Sequence, residues 1–184
     1  MNLVIETIKE RRSIRGFKPQ QVSSSDLRTV LDCALSAPSA CNKQSWHFTI
    51  IQNPELIQSL NDTAKTNLKK SNDPLFRQYG EDDTALLYGA PTLIMVSGDD
   101  EDYDAIIDCS AAVENILIAA QSLGLGTLWN GLINFAFQND DVKEKTAIPA
   151  GYTTYFGIAI GYAIDGVELM KKQILTDSVI DYIK

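Results

Sequence analysis

Three arginines, Arg11, Arg12 and Arg15, fall within five positions in the stretch KERRSIRGF, residues 9–17. Guanidinium groups hold their charge at any physiological pH and fork onto phosphate or carboxylate oxygens. Ser13 adds a hydroxyl between them. The surrounding chain is acidic, with 16 Lys+Arg against 24 Asp+Glu and a net charge of -8 over 184 residues. Such a field repels polyanions, which argues against general nucleic-acid or anionic-membrane binding. A local positive cluster in that setting suits one small anion, such as a phosphate carrying about two charges. The competing reading is a charged helix end, because cations near a helix C-terminus are favoured by its dipole.

A second stretch, APSACNKQSWHF (37–48), carries small and amide-bearing side chains. Asn42 and Gln44 each offer donors and acceptors suited to the polar edge of a heterocycle. Ser39 and Ala40 are small enough to let backbone approach a flat ring. A polar loop leading to a core Trp46 explains the same composition. His47, the only histidine, stands between Trp46 and Phe48 at the start of a predicted strand, where a structural role is the ordinary one. One histidine also rules out a three-histidine metal site within one chain, and no metal site is expected. In SLGLGTLWNGLI (122–133) the Gly124-Leu-Gly126 portion resembles half a dinucleotide fingerprint. The third glycine would stand at Trp129 and the motif follows a helix, so it is not one. Gly131, after Asn130, can bring a backbone N–H close to a ligand. Lys171 and Lys172 form a small positive site near the C-terminus, or a solvated charged loop.

These groups need elements to hold them. The start, MNLVIETIKERR, suits an amphipathic helix ending in basic residues and lacks the pattern of a signal peptide. Helical spacing continues over 25–37 and 53–70. Strands are predicted at 45–51, 90–98 and 152–163. The polar segment 71–83 reads as a mobile flap. Residues 104–124 form the longest helical pattern. Asp108 and Glu114 interrupt it, so it reads as a core or interface helix rather than a membrane span. SVIDYI (178–183) suits a short helix. Cys33 and Cys109 sit in apolar runs and the cysteine count is odd, which fits reduced thiols in a cytoplasmic protein. Helices and strands mix without regular alternation, giving a single α+β domain over 1–184, one sheet covered by helices.

Taken in order, TIKERRSIRGF, APSACNKQSWHF, LGLGTLWNG and IAIGYAIDGVELMKK resemble the FMN-dependent nitroreductase family over nearly the whole chain. The resemblance implies a central, mostly antiparallel sheet flanked by helices, in an intertwined homodimer with FMN at the subunit interface. It implies that Arg11, Arg12 and Ser13 meet the FMN phosphate and ribityl end, with Lys171 or Lys172 completing the phosphate site. Arg15 would lie by the N1 and C2 carbonyl edge. Pro38, Ser39, Ala40, Asn42 and Gln44 would line the ring or ribityl chain, some from the partner subunit. Trp129, Asn130 and Gly131 would place backbone near N5. The implied activity is NADH- or NADPH-dependent reduction of nitroaromatics, quinones or related conjugated acceptors by ping-pong turnover. Other reactions of the wider superfamily (dehalogenation, flavin cleavage, azoline oxidation) and non-catalytic flavin binding are the alternatives. The chain departs from the pattern in three ways. Ser45 stands where many members have proline, lysines replace an arginine near the C-terminus, and the chain is short, with a short 71–83 flap in which Phe76 and Tyr79 would line the substrate pocket.

Overall fold

The computed structural model describes residues 2–171 and 179–183. Local chemistry sets its helix starts. Asn2 Oδ1 accepts from Val4 N at 2.9 Å to open α1 (Leu3–Glu10). Ser23 caps α2 (Ser24–Leu35), and Asn53 followed by Pro54 opens α3 (Pro54–Leu68). Each is a side-chain oxygen meeting an otherwise orphaned first-turn N–H.

The segment expected to be a flap instead carries α4 (Pro74–Glu81). Asp73 Oδ1 accepts from Leu75 N at 2.8 Å, and Pro74 sits in the first turn, where its missing N–H costs nothing. Phe76 then packs edge-on against Phe135, with centroids 5.3 Å apart. Of the helix expected at 178–183, Ser178 lies outside the described residues, and residues 179–183 carry no regular structure.

Four strands, β1 (Trp46–Ile51), β2 (Thr92–Asp99), β3 (Gly126–Asn130) and β4 (Tyr152–Gly161), form one sheet in the order β1-β2-β4-β3. All three pairings are antiparallel. Strand β2 lies inside the sheet, and its alternate side chains feed two cores. Leu93 and Met95 pack with Leu60, Ala64 and Leu68 of α3 and with Ile133 and Phe137. Residues 132–138 form a 3₁₀ segment on this face, and α6 (Asp140–Lys145) follows it. Ile94 and Val96 point the other way, onto Val30 and Ala34 of α2 and Ala112, Val113 and Ile116 of α5 (Ala105–Ser122).

Helix α5 has the length and mean hydropathy, 1.2 over 18 residues, of a membrane span. Half of it is buried in this chain, while Ile106 and Ile107 face outward. The single-chain core therefore accounts for one face of the helix only.

Candidate cofactor site

The arginine segment is held as an extra edge beside the sheet. Ser13 forms a parallel bridge with Thr127 of β3, and Ile14 N donates to Thr127 O at 2.9 Å. Further on, Phe17 bridges Ala163 and Lys18 N donates to Tyr162 O at 2.8 Å. Ile14 and Phe17 are buried and anchor the segment, which leaves Ser13 and Arg15 on the outer side. Gly126 permits the approach: a Cβ there would lie 2.8 Å from Ile14 Cγ1.

The two readings of the arginines divide between side chains. Arg12 Nη1 donates to Lys9 O at 2.7 Å and Arg11 O at 2.8 Å, so it does close the end of α1. Arg15 Nη1 contacts Met170 Sδ at 3.2 Å, a weak acceptor. Among the described residues, no carboxylate pairs with Arg11, Arg12 or Arg15. In a chain of net charge -8, three clustered guanidiniums left without an acidic partner are a donor set suited to an anion. The contact with Met170 brings the C-terminal segment to them, and exposed Lys171 is its next residue. Lys172 lies outside the described residues.

Trp129, Asn130 and Gly131 continue the same edge two to four residues beyond Thr127, roughly 7–13 Å along β3. Trp129 lies edge-on to Phe156, centroids 4.8 Å apart. The Asn130 side chain is committed to structure, donating to Leu86 O at 2.6 Å and accepting from Ile133 N at 3.1 Å. Open space adjoins Gly131, where an added Cβ would meet nothing within 4 Å. Tyr79 lines a small cavity together with Asn130 and Leu132, whereas Phe76 is half-buried against the core.

The loop 38–45 is built differently. Cys41, Asn42 and Gln44 adopt φ values of 51°, 54° and 54°, the left-handed region that non-glycine residues seldom occupy. Ser39 Oγ accepts from Gln44 N at 3.1 Å, and Gln44 Nε2 donates to Asn42 Oδ1 at 3.1 Å. Two buried carboxylates hold the loop from beneath. Asp108 Oδ1 and Oδ2 accept from Ala40 N at 3.1 and 3.2 Å. Asp102 accepts from Lys43 Nζ at 2.9 Å and, through its other oxygen, from the Ser45 hydroxyl. The Ser45 bond first and the Lys43 bond second hold the Asp102 carboxyl below its usual range, and Asp102 raises Lys43 in turn. Pro38, Ser39 and Ala40 border a shallow pocket with Ile107 and Asp108 of α5.

Within one chain this loop and the arginines stand apart. The loop enters the sheet at Trp46, opposite Gly98 on β2. The arginine segment meets Thr127, which aligns through Ile160 with Thr92. That separation is six residues along β2 and four strand spacings across, roughly 28 Å in all at ~3.4 Å rise and ~4.8 Å spacing. No mononucleotide spans it. Asp102 and Asp108 were not among the residues singled out in the sequence as site candidates. Nothing in the acidic run from Asp99 to Asp104 distinguishes Asp102 from its neighbours.

The model of a family described as the nitroreductase family matches residues 8–162. A protein of Archaeoglobus fulgidus, provisionally described as an NADH dehydrogenase/NAD(P)H nitroreductase, is 31% identical over 170 residues, covering 90% of this chain and 88% of that one. A nitroreductase of Bacteroides fragilis, solved with bound FMN, superposes with a TM-score of 0.91 at 32% identity over 100% of both chains. A second FMN-bound nitroreductase, from Desulfitobacterium hafniense, gives 0.90 at 28% identity, again over 100% of both. The fold, the order of the motifs and these likenesses agree: the chain belongs to the nitroreductase family.

Proposed function

We propose that the protein is an FMN-dependent oxidoreductase that works as a homodimer, oxidising NADH or NADPH and reducing nitroaromatics, quinones or related conjugated acceptors by ping-pong turnover. The observation that carries this reading is the cluster of three arginines that, among the described residues, have no carboxylate partner, on the edge of an acidic protein. Arg11, Arg12, Ser13 and Lys171 would hold the cofactor phosphate. Arg15 would face the pyrimidine edge of the ring, where a fixed cation favours added negative charge. The backbone at Trp129–Gly131, on the same sheet edge, would border the ring. Bound FMN would supply the redox chemistry, so the reaction requires no side-chain nucleophile or acid–base pair.

Loop 38–45 would come from the partner subunit. The roughly 28 Å between it and the arginines, taken from ~3.4 Å rise and ~4.8 Å strand spacing, supports that arrangement. So do the outward apolar side chains of α1 and α5, with Leu3 73% and Ile107 62% exposed, which suit a subunit interface. Exposed Cys41 as a free thiol is in keeping with a cytoplasmic protein.

An absorbance spectrum of the fresh protein tests the reading, followed by anaerobic addition of NADH and NADPH in turn. Flavin bands near roughly 370 and 450 nm that bleach with a donor support it and identify the donor. A colourless protein that refuses added FMN overturns it. A yellow protein bleached by neither donor reduces the function to flavin binding.

A further inference from the structure

Buried Asp102 has no place in the proposed contacts with cofactor, yet it gathers more of the loop than any other side chain near it. Its two carboxylate oxygens accept from Lys43 Nζ at 2.9 Å, from the Ser45 hydroxyl and from Asp104 N at 3.2 Å. The backbone joins the same knot, since Asp99 N donates to Ser45 O at 2.9 Å and Asp102 N to Asp99 O at 3.1 Å. Its side chain is 5% exposed, so a lost bond would not be replaced freely by water.

Above this knot sits a backbone that does not hold itself. Cys41, Asn42 and Gln44 are all left-handed, and such conformations persist where the surroundings over-determine them. Asp108 restrains the loop near its start, at Ala40 N, and Asp102 restrains its end, at Lys43 and Ser45. Between the two anchors lie Cys41 and Asn42, both exposed, with Gln44 inside the second anchor. Strained backbone held by buried charge at both ends presents a fixed set of outward polar groups.

Resting on the FMN reading above, we propose that Asp102 is a positioning residue: through Ser45 and Lys43 it locks loop 38–45 in the shape that contacts the ring and ribityl chain of the cofactor. The lock is therefore broken by loss of one hydroxyl. In the proposed site the loop lines the ring and ribityl chain while the arginines and Lys171 hold the phosphate, so loosening the loop weakens ring and ribityl contacts and leaves phosphate recognition intact.

The test compares FMN with riboflavin, which lacks the phosphate, on the full-length protein. Ser45→Ala removes one side-chain bond, and Asp102→Asn keeps the size while removing the charge. Both are expected to weaken FMN and riboflavin by the same factor, about tenfold for loss of a bond to a charged group. The FMN-to-riboflavin affinity ratio stays at the wild-type value and the bound-flavin absorbance bands move toward those of free flavin. Arg12→Ala is expected to collapse that ratio instead. Apo Ser45→Ala is expected to keep one cooperative unfolding transition with its midpoint lowered by only about 2–4 °C, which separates a loosened loop from a failing fold. Wild-type affinity for both flavins in Ser45→Ala and Asp102→Asn overturns the proposal. A loss confined to FMN overturns it as well, because Asp102 would then act through the phosphate. A wild-type protein that takes up no flavin overturns the FMN reading itself, and with it the proposal, before any variant is compared.

Discussion

Two tagged variants, each damaged in one half of the cofactor site, test the shared site. Arg11→Ala with Arg12→Ala strips the segment beside β3. Asn42→Ala with Gln44→Ala strips two amides from the loop before β1. A bond to a charged group contributes about 1.5–3 kcal/mol, so the arginine pair is expected to lose at least ten- to a hundredfold in FMN affinity. Neutral amide bonds contribute about 0.5–1.5 kcal/mol each, so the loop pair loses about tenfold. Both homodimers then carry two weakened sites. If the arginines and the loop of one chain serve different sites, as their roughly 28 Å separation at ~4.8 Å strand spacing requires, the heterodimer behaves differently. One of its sites collects both defects, and the other collects neither. Co-expression and purification through both tags isolates it, and titration of FMN fluorescence reads its sites. The expected result is about one FMN per dimer at wild-type affinity. A heterodimer with one arginine-weakened and one loop-weakened site, and no wild-type site, means that each chain builds its own site. That result refutes the geometric reasoning.

Gly126→Ala places a Cβ 2.8 Å from Ile14 Cγ1 and drives the arginine segment off β3; it is expected to cost about 1–3 kcal/mol in urea unfolding and to weaken FMN together with stability. Acid stability follows from carboxyls held low in the folded state, Asp102 by Ser45 and Lys43, Asp82 by Thr84, and Asp165 by Lys18. The unfolded chain takes protons on these groups first, so their contribution is complete above about pH 4–5 and is lost as the pH falls through their lower folded values. Urea midpoints should therefore hold level from neutral pH to about 5 and drop below 4, with a shallower drop in Asp102→Asn. Burial pushes the Cys109 thiol up to about 12, whereas Cys41 is exposed. Mass-mapped alkylation at neutral pH should label Cys41 first and leave Cys109 unmodified until the protein unfolds.

Much of the fold could be read from residues alone, and the reason is local. The helices α2, α3 and α5 announce themselves by apolar periodicity, and strands β1, β2 and β4 by β-branched or aromatic runs. The misses are equally physical. The segment 71–83 is polar, and that composition outweighed its Asp73-Pro74 start; the helix stands because Phe76 reaches Phe135, a contact distant in sequence. The five residues of β3 read as a connection out of α5, because a short strand is defined by its partner β4 rather than by its own pattern.

The candidate site divides along the same line. Arg11, Arg12 and Arg15 are legible because their charge contradicts the rest of the chain. What the sequence does not carry is which groups share a ligand. Residues 11–15 and 37–48 lie close in the chain, and read in a line they invite one pocket. Strand order separates them: β1 and β3 close opposite edges of the sheet, and the two segments attach to those edges at opposite ends of the strands. On the proposed reading, two half-sites kept apart within one subunit would meet across a symmetry axis. The argument for a second copy thus comes from the register, a long-range property, while the donor types come from local sequence. The same division hides Asp102. Its acidic neighbours look alike in sequence, and only folding turns one of them inward to Ser45 and Lys43 while Glu101 stays in solvent.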